Sequence, residues 1–309
     1  MKHIFILNPK AGSGAGASEL RDKVSLLGPE YEIYETKGPH DATSYVKSRC
    51  EASTEPLRFY ACGGDGTVKE VAEGTIGYPH ASVSVYPIGS GNDFVKYFGG
   101  ADCFKEIEKV ASAEETETDI IHITYDGGDT YSVNVCNFGF ESYVASIMNR
   151  VRRIPILGGK SAYTTGIICG LFKAMKTRGK VYADGKLLND SGIFMLGTVA
   201  NGSHEGGGYK AAPRASVNDG ELEVCLVKPM SLITVARLIG LYKKGEHLDD
   251  KRFEKYITYL RAEKIEVVFD APSVIGLDGE IIKTGHFIAE VMPSAIRFAA
   301  PFGKKAVVK

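Results

Sequence analysis

The chain has 309 residues, 44% hydrophobic and 24% charged, with a formal net charge of −1. That length suits one large or two medium domains with a substantial core, and the composition excludes a disordered or low-complexity chain. The near-neutral charge supplies no global field toward nucleic acid, so no nucleic-acid partner is expected.

The first elements alternate strand and helix. His3 to Leu7 reads as a strand whose apolar run is too short for a signal-peptide core, and it enters a small-residue loop from Asn8 to Gly16. Leu20, Val24 and Leu27 recur at helical spacing until Gly28-Pro29 stops the run. The loop lacks both the Gly-Lys-Ser/Thr ending of a Walker A motif and the G-x-G-x-x-G spacing, so alone it is a weak signal. Tyr31 to Tyr34 reads as a second strand, and Ala42, Tyr45, Val46, Arg49 and Cys50 mark a second helix.

Residues 57 to 67, a buried strand ending in Gly63-Gly64-Asp65-Gly66-Thr67, form the stretch around which the chain is organised. The glycines admit positive φ and remove the Cβ atoms that would hold an anion away. Thr67 stands where a helix N-cap would, so the turn would open onto a helix N-terminus able to hold phosphate. Asp65 would repel a bare phosphate and makes sense if a divalent cation lies between them. An ordinary strand-to-helix turn with a solvated aspartate remains the competing reading.

Ser82 to Tyr86 supplies a fourth strand, followed by Pro87-Ile88-Gly89-Ser90-Gly91-Asn92-Asp93-Phe94 and a helix start. In a parallel sheet, loops leaving the carboxyl ends of strands gather along one edge, where ligands bind. Three loops would converge there, bringing glycine amides, the Ser13, Thr67 and Ser90 hydroxyls, the Asn8 and Asn92 amides, and the Asp65 and Asp93 carboxylates. Asn92-Asp93 fits a plain helix cap as well as a nucleotide or metal contact.

From residue 119 the texture becomes β. Hairpin patterns lie around Asp126-Gly127 and Asp184-Gly185, and strand patterns run over Ile193 to Ala200, Leu222 to Lys228, Ile265 to Ala271, Ser273 to Leu277 and Phe287 to Met292. One helix is expected over Ser231 to Lys244. The acidic stretch at 112 to 119 marks a boundary, giving an α/β domain over 1–118, completed by 293–309, and a β-rich domain over 119–292. Residues 150 to 178 carry basic side chains around apolar ones, which suits an interfacial surface or a core helix with a solvated basic face. Asn218-Asp219-Gly220 could be a turn or an oxygen-ligand site for Mg²⁺ or Ca²⁺, and by composition alone Glu280 reads as a surface residue.

Six cysteines are scattered without a C-x-x-C pair, which fits reduced thiols in a cytoplasmic protein. No segment reaches the roughly 20 apolar residues of a membrane span, so membrane contact would be peripheral. Strand edges in the β half could pair two chains as a homodimer, although nothing in the sequence requires it.

Taken together, Asn8-Pro9, G-G-D-G-T at 63 to 67, P-I-G-S-G-N-D-F at 87 to 94, Asn201 with the following G-G-G, P-R-A-S-V-N-D-G-E-L at 213 to 222 and L-D-G-E at 277 to 280 resemble the diacylglycerol kinase catalytic family, in its bacterial lipid kinase branch. NAD kinases and phosphofructokinases share the G-G-D-G-T turn but not the whole set. The resemblance implies a Rossmann-like, phosphofructokinase/NAD kinase-like α/β domain and a β-sandwich, with ATP in the cleft between them. It places Asn8, Gly63, Gly64, Gly66, Thr67, Gly89, Ser90, Asn92 and Asp93 on the nucleotide, with Asp65 and Asp93 toward Mg²⁺. Asp219 falls on a carboxylate of a structural Mg²⁺ site, where Ser216 replaces a frequent acidic partner. Glu280 becomes the base for a lipid hydroxyl, and the lipid would be met at the inner face of the membrane.

Overall fold

A computed structural model of the chain describes residues 1–12, 14–140 and 176–301. Ser13, Cys169, the interfacial stretch from 150 through 175 and the end of the expected return at 302–309 lie outside the described residues. The first half is a parallel sheet of β1 (Lys2–Leu7), β2 (Tyr31–Glu35), β3 (Leu57–Cys62) and β4 (Ala81–Val85), in the order β2-β1-β3-β4. β3 and β4 are buried along their whole length, as continuous apolar strands of a two-sided sheet should be. Helices α1 (Ala15–Ser25), α2 (Asp41–Glu51) and α3 (Asp65–Thr75) pack against it through the spaced apolar positions, Leu20 and Val24 in α1 and Val46 and Cys50 in α2.

The helix expected after β4 takes another form. Residues Phe94–Phe98 and Ala101–Phe104 are 3₁₀ turns, separated by Gly99 and Gly100, both at φ 99°. Two consecutive left-handed residues cannot continue a right-handed helix. A short α4 (Ile107–Ala111) follows. The acidic stretch expected as a boundary enters β5 (Glu115–Tyr125), where Glu115 pairs with Arg58 at 2.8 Å and Arg297 at 2.6 Å.

The second half is antiparallel. It comprises β6 (Gly128–Ser132), β7 (Val135–Gly139), β8 (Thr177–Ala183), β9 (Lys186–Leu187), β10 (Ile193–Phe194), β11 (Leu196–Ala200), β12 (Leu222–Val227), β13 (Ile257–Ala262), β14 (Lys264–Leu277) and β15 (Glu280–Ala299), with α5 (Leu232–Lys244) between β12 and β13. These strands, linked by hydrogen bonds to the first half in one continuous mixed sheet, enclose a core of their own that includes Ile121, Phe138, Val181, Phe194, Ile265 and Phe287, as the strands of a β-sandwich do. The fold is therefore the expected α/β nucleotide-type domain followed by a β-sandwich.

β14 is one strand where the sequence suggests two; its register shifts between Val268 and Ser273. That irregularity lets its first part pair with β8 and its last part with β7. β15 pairs with β14 at its start and with β5 along its later part, and Phe298 pairs in parallel with Val83 of β4. One strand thus joins the sandwich to the parallel sheet.

Candidate active site

The loops after β1, β3 and β4 meet at one edge, as the parallel topology requires, and hydrogen bonds fix them to each other. Ile88 N and Gly89 N both donate to the Gly63 carbonyl, at 3.2 and 2.9 Å. Asn8 Nδ2 donates to Thr67 Oγ1 at 3.4 Å. Between the loops and the Asp278-Gly279 turn is a cavity of about 680 Å³, within the size range of small-molecule sites.

Asn8, Gly64, Gly66 and Thr67 line this cavity, as do Gly89 and Ser90 and the two acidic candidates Asp65 and Glu280. Gly63, Asn92 and Asp93 are not among the lining residues. Asn92, at φ 50°, donates from Nδ2 to the Gly89 carbonyl at 2.7 Å and so shapes the third loop.

Two local expectations are corrected. Thr67 does not cap α3; Gly64 does, and Thr67 lies in the first turn, its N–H donating to the Gly64 carbonyl at 2.9 Å. Gly63, Gly64 and Gly66 do not take positive φ. Glycine is required at 63 by closeness, since a Cβ there would lie 2.1 Å from Thr67 Oγ1. The turn still delivers the N-terminus of an eleven-residue helix to the cavity, with the unpaired first N–H groups and positive dipole end that favour phosphate.

Asp65 opens α3, and its Oδ1 accepts the N–H groups of Asp93 (2.7 Å) and Phe94 (3.2 Å). Burial raises its carboxyl above the ordinary range, the Asp93 charge adds to the rise, and these two N–H groups oppose it. Its Oδ2 lies beside Gly91, where a Cβ would approach within 2.9 Å. A raised, partly unsatisfied carboxylate next to a phosphate-type site fits a divalent cation. Among the described residues no three His, Cys, Asp or Glu side chains gather to hold a metal. A cation at Asp65 would therefore share its coordination with phosphate oxygens and water.

Asp93 does not match its expected metal role. It is buried, with Oδ1 paired to Lys96 and Oδ2 accepting the Gly207 N–H at 2.8 Å. It ties the third loop to Gly206-Gly207-Gly208, all three at positive φ. Asp219 is also engaged elsewhere. Its carboxylate lies 3.5 Å from the Arg261 guanidinium, which also reaches Glu221 at 3.5 Å and Glu223 at 2.8 Å. A side-chain cation already answers this acidic group, so Asp219 does not fit the expected Mg²⁺ ligand.

Glu280 reaches the cavity through a two-residue hairpin. Leu277 of β14 pairs with Glu280 of β15, and Asp278 (φ 46°) and Gly279 (φ 92°) turn between them. Positive φ at both central residues is the type I′ requirement, which Asp-Gly satisfies. The Asp278 carboxylate accepts the N–H groups of Val133 (2.7 Å), Asn134 (3.4 Å) and Val135 (3.1 Å) and the Ser132 hydroxyl (2.9 Å). This anchor also explains why β6 and β7 are separate strands: the amides between them turn to Asp278. Burial pushes the Asp278 carboxyl up to about 6, partly offset by the Val135 N–H, with the Asp65 charge adding to the rise.

Asp278 and Lys69 are the site residues that sequence reasoning missed. Lys69 Nζ pairs with Glu280 Oε2, and the lysine side chain is 1% exposed against 33% for Glu280. The available signal was spacing: Lys69 lies four residues after Asp65 on α3, hence on the same face.

A cleft between a parallel sheet and a β-sandwich, with glycine loops and an acidic side chain presented to a helix N-terminus, carries the parts of a phosphotransferase site. The diacylglycerol kinase catalytic domain matches residues 2–123, and the YegS C-terminal NAD kinase beta sandwich-like domain matches residues 134–300. A probable lipid kinase YegS-like protein of Stenotrophomonas maltophilia (strain K279a) is 28% identical over 310 residues, covering 97% of this chain and 96% of its own. A diacylglycerol kinase of Bacillus subtilis (strain 168) is 27% identical over 283 residues, covering 89% and 88%. A crystal structure described as that of a diacylglycerol kinase from Bacillus anthracis str. Sterne superimposes with a TM-score of 0.66 at 21% identity, covering 99% and 98% of the two chains, and shares the fold. The chain belongs to the family of the YegS C-terminal NAD kinase beta sandwich-like domain, and a diacylglycerol kinase catalytic domain precedes that domain, the combination of the lipid kinases it resembles.

Proposed function

We propose that the chain transfers the γ-phosphate of ATP to a lipid hydroxyl, with diacylglycerol as the acceptor and phosphatidic acid as the product. The observation that carries this reading is the delivery of Glu280 by a rigid type I′ turn into the cavity lined by the glycine loops and the start of α3. Phosphates would lie against Gly64, Gly66, Gly89 and Ser90, where the Gly64 and Gly66 amides and the Ser90 hydroxyl can donate to them and Gly89, its own amide committed to Gly63, offers a close approach without a side chain. The Glu280 carboxylate would accept the lipid hydroxyl proton as that oxygen bonds to the γ-phosphorus and the bridge to ADP breaks. A bound Mg²⁺ would offset phosphate charge, with Asp65 as its protein ligand. Residues at the cavity mouth would meet the lipid at a membrane surface from the cytoplasmic side; among the described residues no helix is long and apolar enough to cross a membrane.

Transfer of labelled γ-phosphate from ATP and Mg²⁺ to diacylglycerol in mixed micelles tests this, with sphingosine, monoacylglycerol, ceramide and NAD run in parallel. Labelled phosphatidic acid from the wild type, reduced by about 10²-fold or more in Glu280→Gln with ATP affinity retained, is the expected result. Labelled NADP would replace the lipid assignment with an NAD kinase, and no product from any acceptor would favour a non-catalytic nucleotide- or lipid-binding protein.

A further inference from the structure

We infer that Lys69 is a positioning residue for Glu280: from beneath the cavity it fixes the carboxylate that receives the lipid hydroxyl proton. This rests on the lipid kinase reading above. Lys69 lies on α3, and its side chain is 1% exposed. Burying an ammonium so deeply is costly unless it is paired and hydrogen-bonded. Its hydrogen-bond partner among the described residues is Glu280, through Oε2.

The pairing is asymmetric in a way that suits catalysis. Glu280 lines the cavity and Lys69 does not. Lys69 holds Oε2, while Oε1 meets no protein donor among the described residues. A base oriented through one atom while another stays available follows the general logic of a base and its orienter. The pair also spans the cleft, since α3 carries the phosphate-facing helix start and the Asp278-Gly279 turn carries Glu280. The separation between the phosphate-binding helix start and the base is thereby held by this contact together with the Asp278 anchor. Glu73, one turn further along α3, adds a second negative charge near Lys69: burial raises the Glu73 carboxyl, the Lys69 charge opposes that rise, then His40 opposes it, and Glu280 and Glu70 favour it. Lys69 therefore keeps two carboxylates from repelling each other, and removing it would turn Glu280 away from Glu73 as well as release it.

The test is a substitution series read by kcat against KM. Lys69→Gln keeps a donor without the charge, Lys69→Met keeps bulk with neither, and Lys69→Arg keeps both in another shape. Each is assayed with ATP and the wild type's best lipid acceptor, alone and with Glu280→Gln, alongside ATP affinity by calorimetry and thermal unfolding. Lys69→Met should lower kcat about 10²-fold, the scale of a misplacement of about 1 Å, with KM for ATP and ATP affinity within about twofold of wild type and partial recovery in Lys69→Arg. In the Glu280→Gln background, Lys69→Met should add no further loss, as expected of residues acting as one unit. Should Lys69→Met fail to fold, Lys69→Gln carries the same comparison. Wild-type kcat in a folded Lys69→Met or Lys69→Gln, or losses that multiply with Glu280→Gln, would overturn the inference while leaving the kinase reading intact. Absence of turnover by the wild type on every acceptor would overturn that reading and this inference with it.

Discussion

Gly89 and Gly64 meet backbone to backbone: a Cβ on Gly89 would lie 2.4 Å from the Gly64 Cα and 2.8 Å from its nitrogen. Two phosphate-facing loops are thus held at a separation that only a missing side chain permits. Gly89→Ala should push the third loop off the α3 N-terminus, because neither backbone can yield as a flexible side chain would. Stability should fall by about 1–3 kcal/mol, and ATP affinity should drop with it. Calorimetric titration and thermal unfolding of the same preparation check both.

Gly240 supplies the opposite case. It sits inside α5, and a Cβ at this position would meet nothing within 4 Å. Gly240→Ala should stabilise the protein by up to about 1 kcal/mol through helix propensity alone, read as a raised unfolding midpoint with unchanged turnover.

Asp278→Asn keeps the volume of the anchor but replaces an acceptor oxygen with an NH₂ that faces backbone N–H groups. The loss should be about 2–3 kcal/mol. Turnover should fall further than the folded fraction explains, because the turn that aims Glu280 loses its anchor. Comparing kcat with the fraction folded by circular dichroism separates the two effects.

Arg261 lies among Asp219, Glu221 and Glu223, so the acidic surface there needs no metal to hold it. Chelators unfold proteins whose metal is structural. Here, stripping divalent ions with EDTA should leave the unfolding midpoint within about 1 °C, although it should abolish phosphotransfer. A large fall in midpoint restored by Mg²⁺ would show that the cation is structural after all.

Acid should destabilise the fold before the ordinary carboxylates titrate. Burial lowers both His3 and His247 from 6.5 to about 4. The unfolded chain therefore binds more protons between those values, and the stability they contribute is present above the unfolded value and lost as pH falls toward 4. Asp278 works against this: its raised value means the folded state binds the proton first, so its titration favours folding as pH falls through about 6. Burial also raises Asp65 and Glu73, which act with Asp278, and lowers His204, which acts with the other histidines; with His3 and His247 moved furthest, the net expectation is a falling midpoint from about pH 6.5 to 4.5. His247→Phe should flatten that profile in pH-dependent thermal unfolding.

The parallel half was legible because its strands are continuous apolar runs followed by spaced helical positions, and each loop came with its own glycine signature. The motifs that built the cavity walls were legible for the same reason. Lys69 was not, because an isolated lysine on a helix ordinarily reaches solvent, and only the long-range approach of Glu280 makes its burial affordable. By residue type Asp93 and Asp219 fitted a cap or a turn as well as a ligand, and their metal roles came from the resemblance, whereas tertiary contacts with Lys96, Gly207 and Arg261 decide what their oxygens can still do. β13 escaped because its half-buried side chains, Ile257 to Leu260, give little alternation. The D-G-E turn looked like surface until its aspartate found amides more than 140 residues away in sequence.

The length of β15 bears on how such a protein can be divided. It begins at Glu280 in the cleft and ends beside β4 and β5 of the first half. A fragment cut after residue 123 would carry the glycine loops but leave β4 and β5 without their shared neighbour, exposing two edges ready to pair with other chains. The remaining fragment would keep the acidic side chain and have no phosphate site to serve. The boundary visible in sequence is therefore crossed by a strand that both regions share, and each region is left with an open edge when the other is removed.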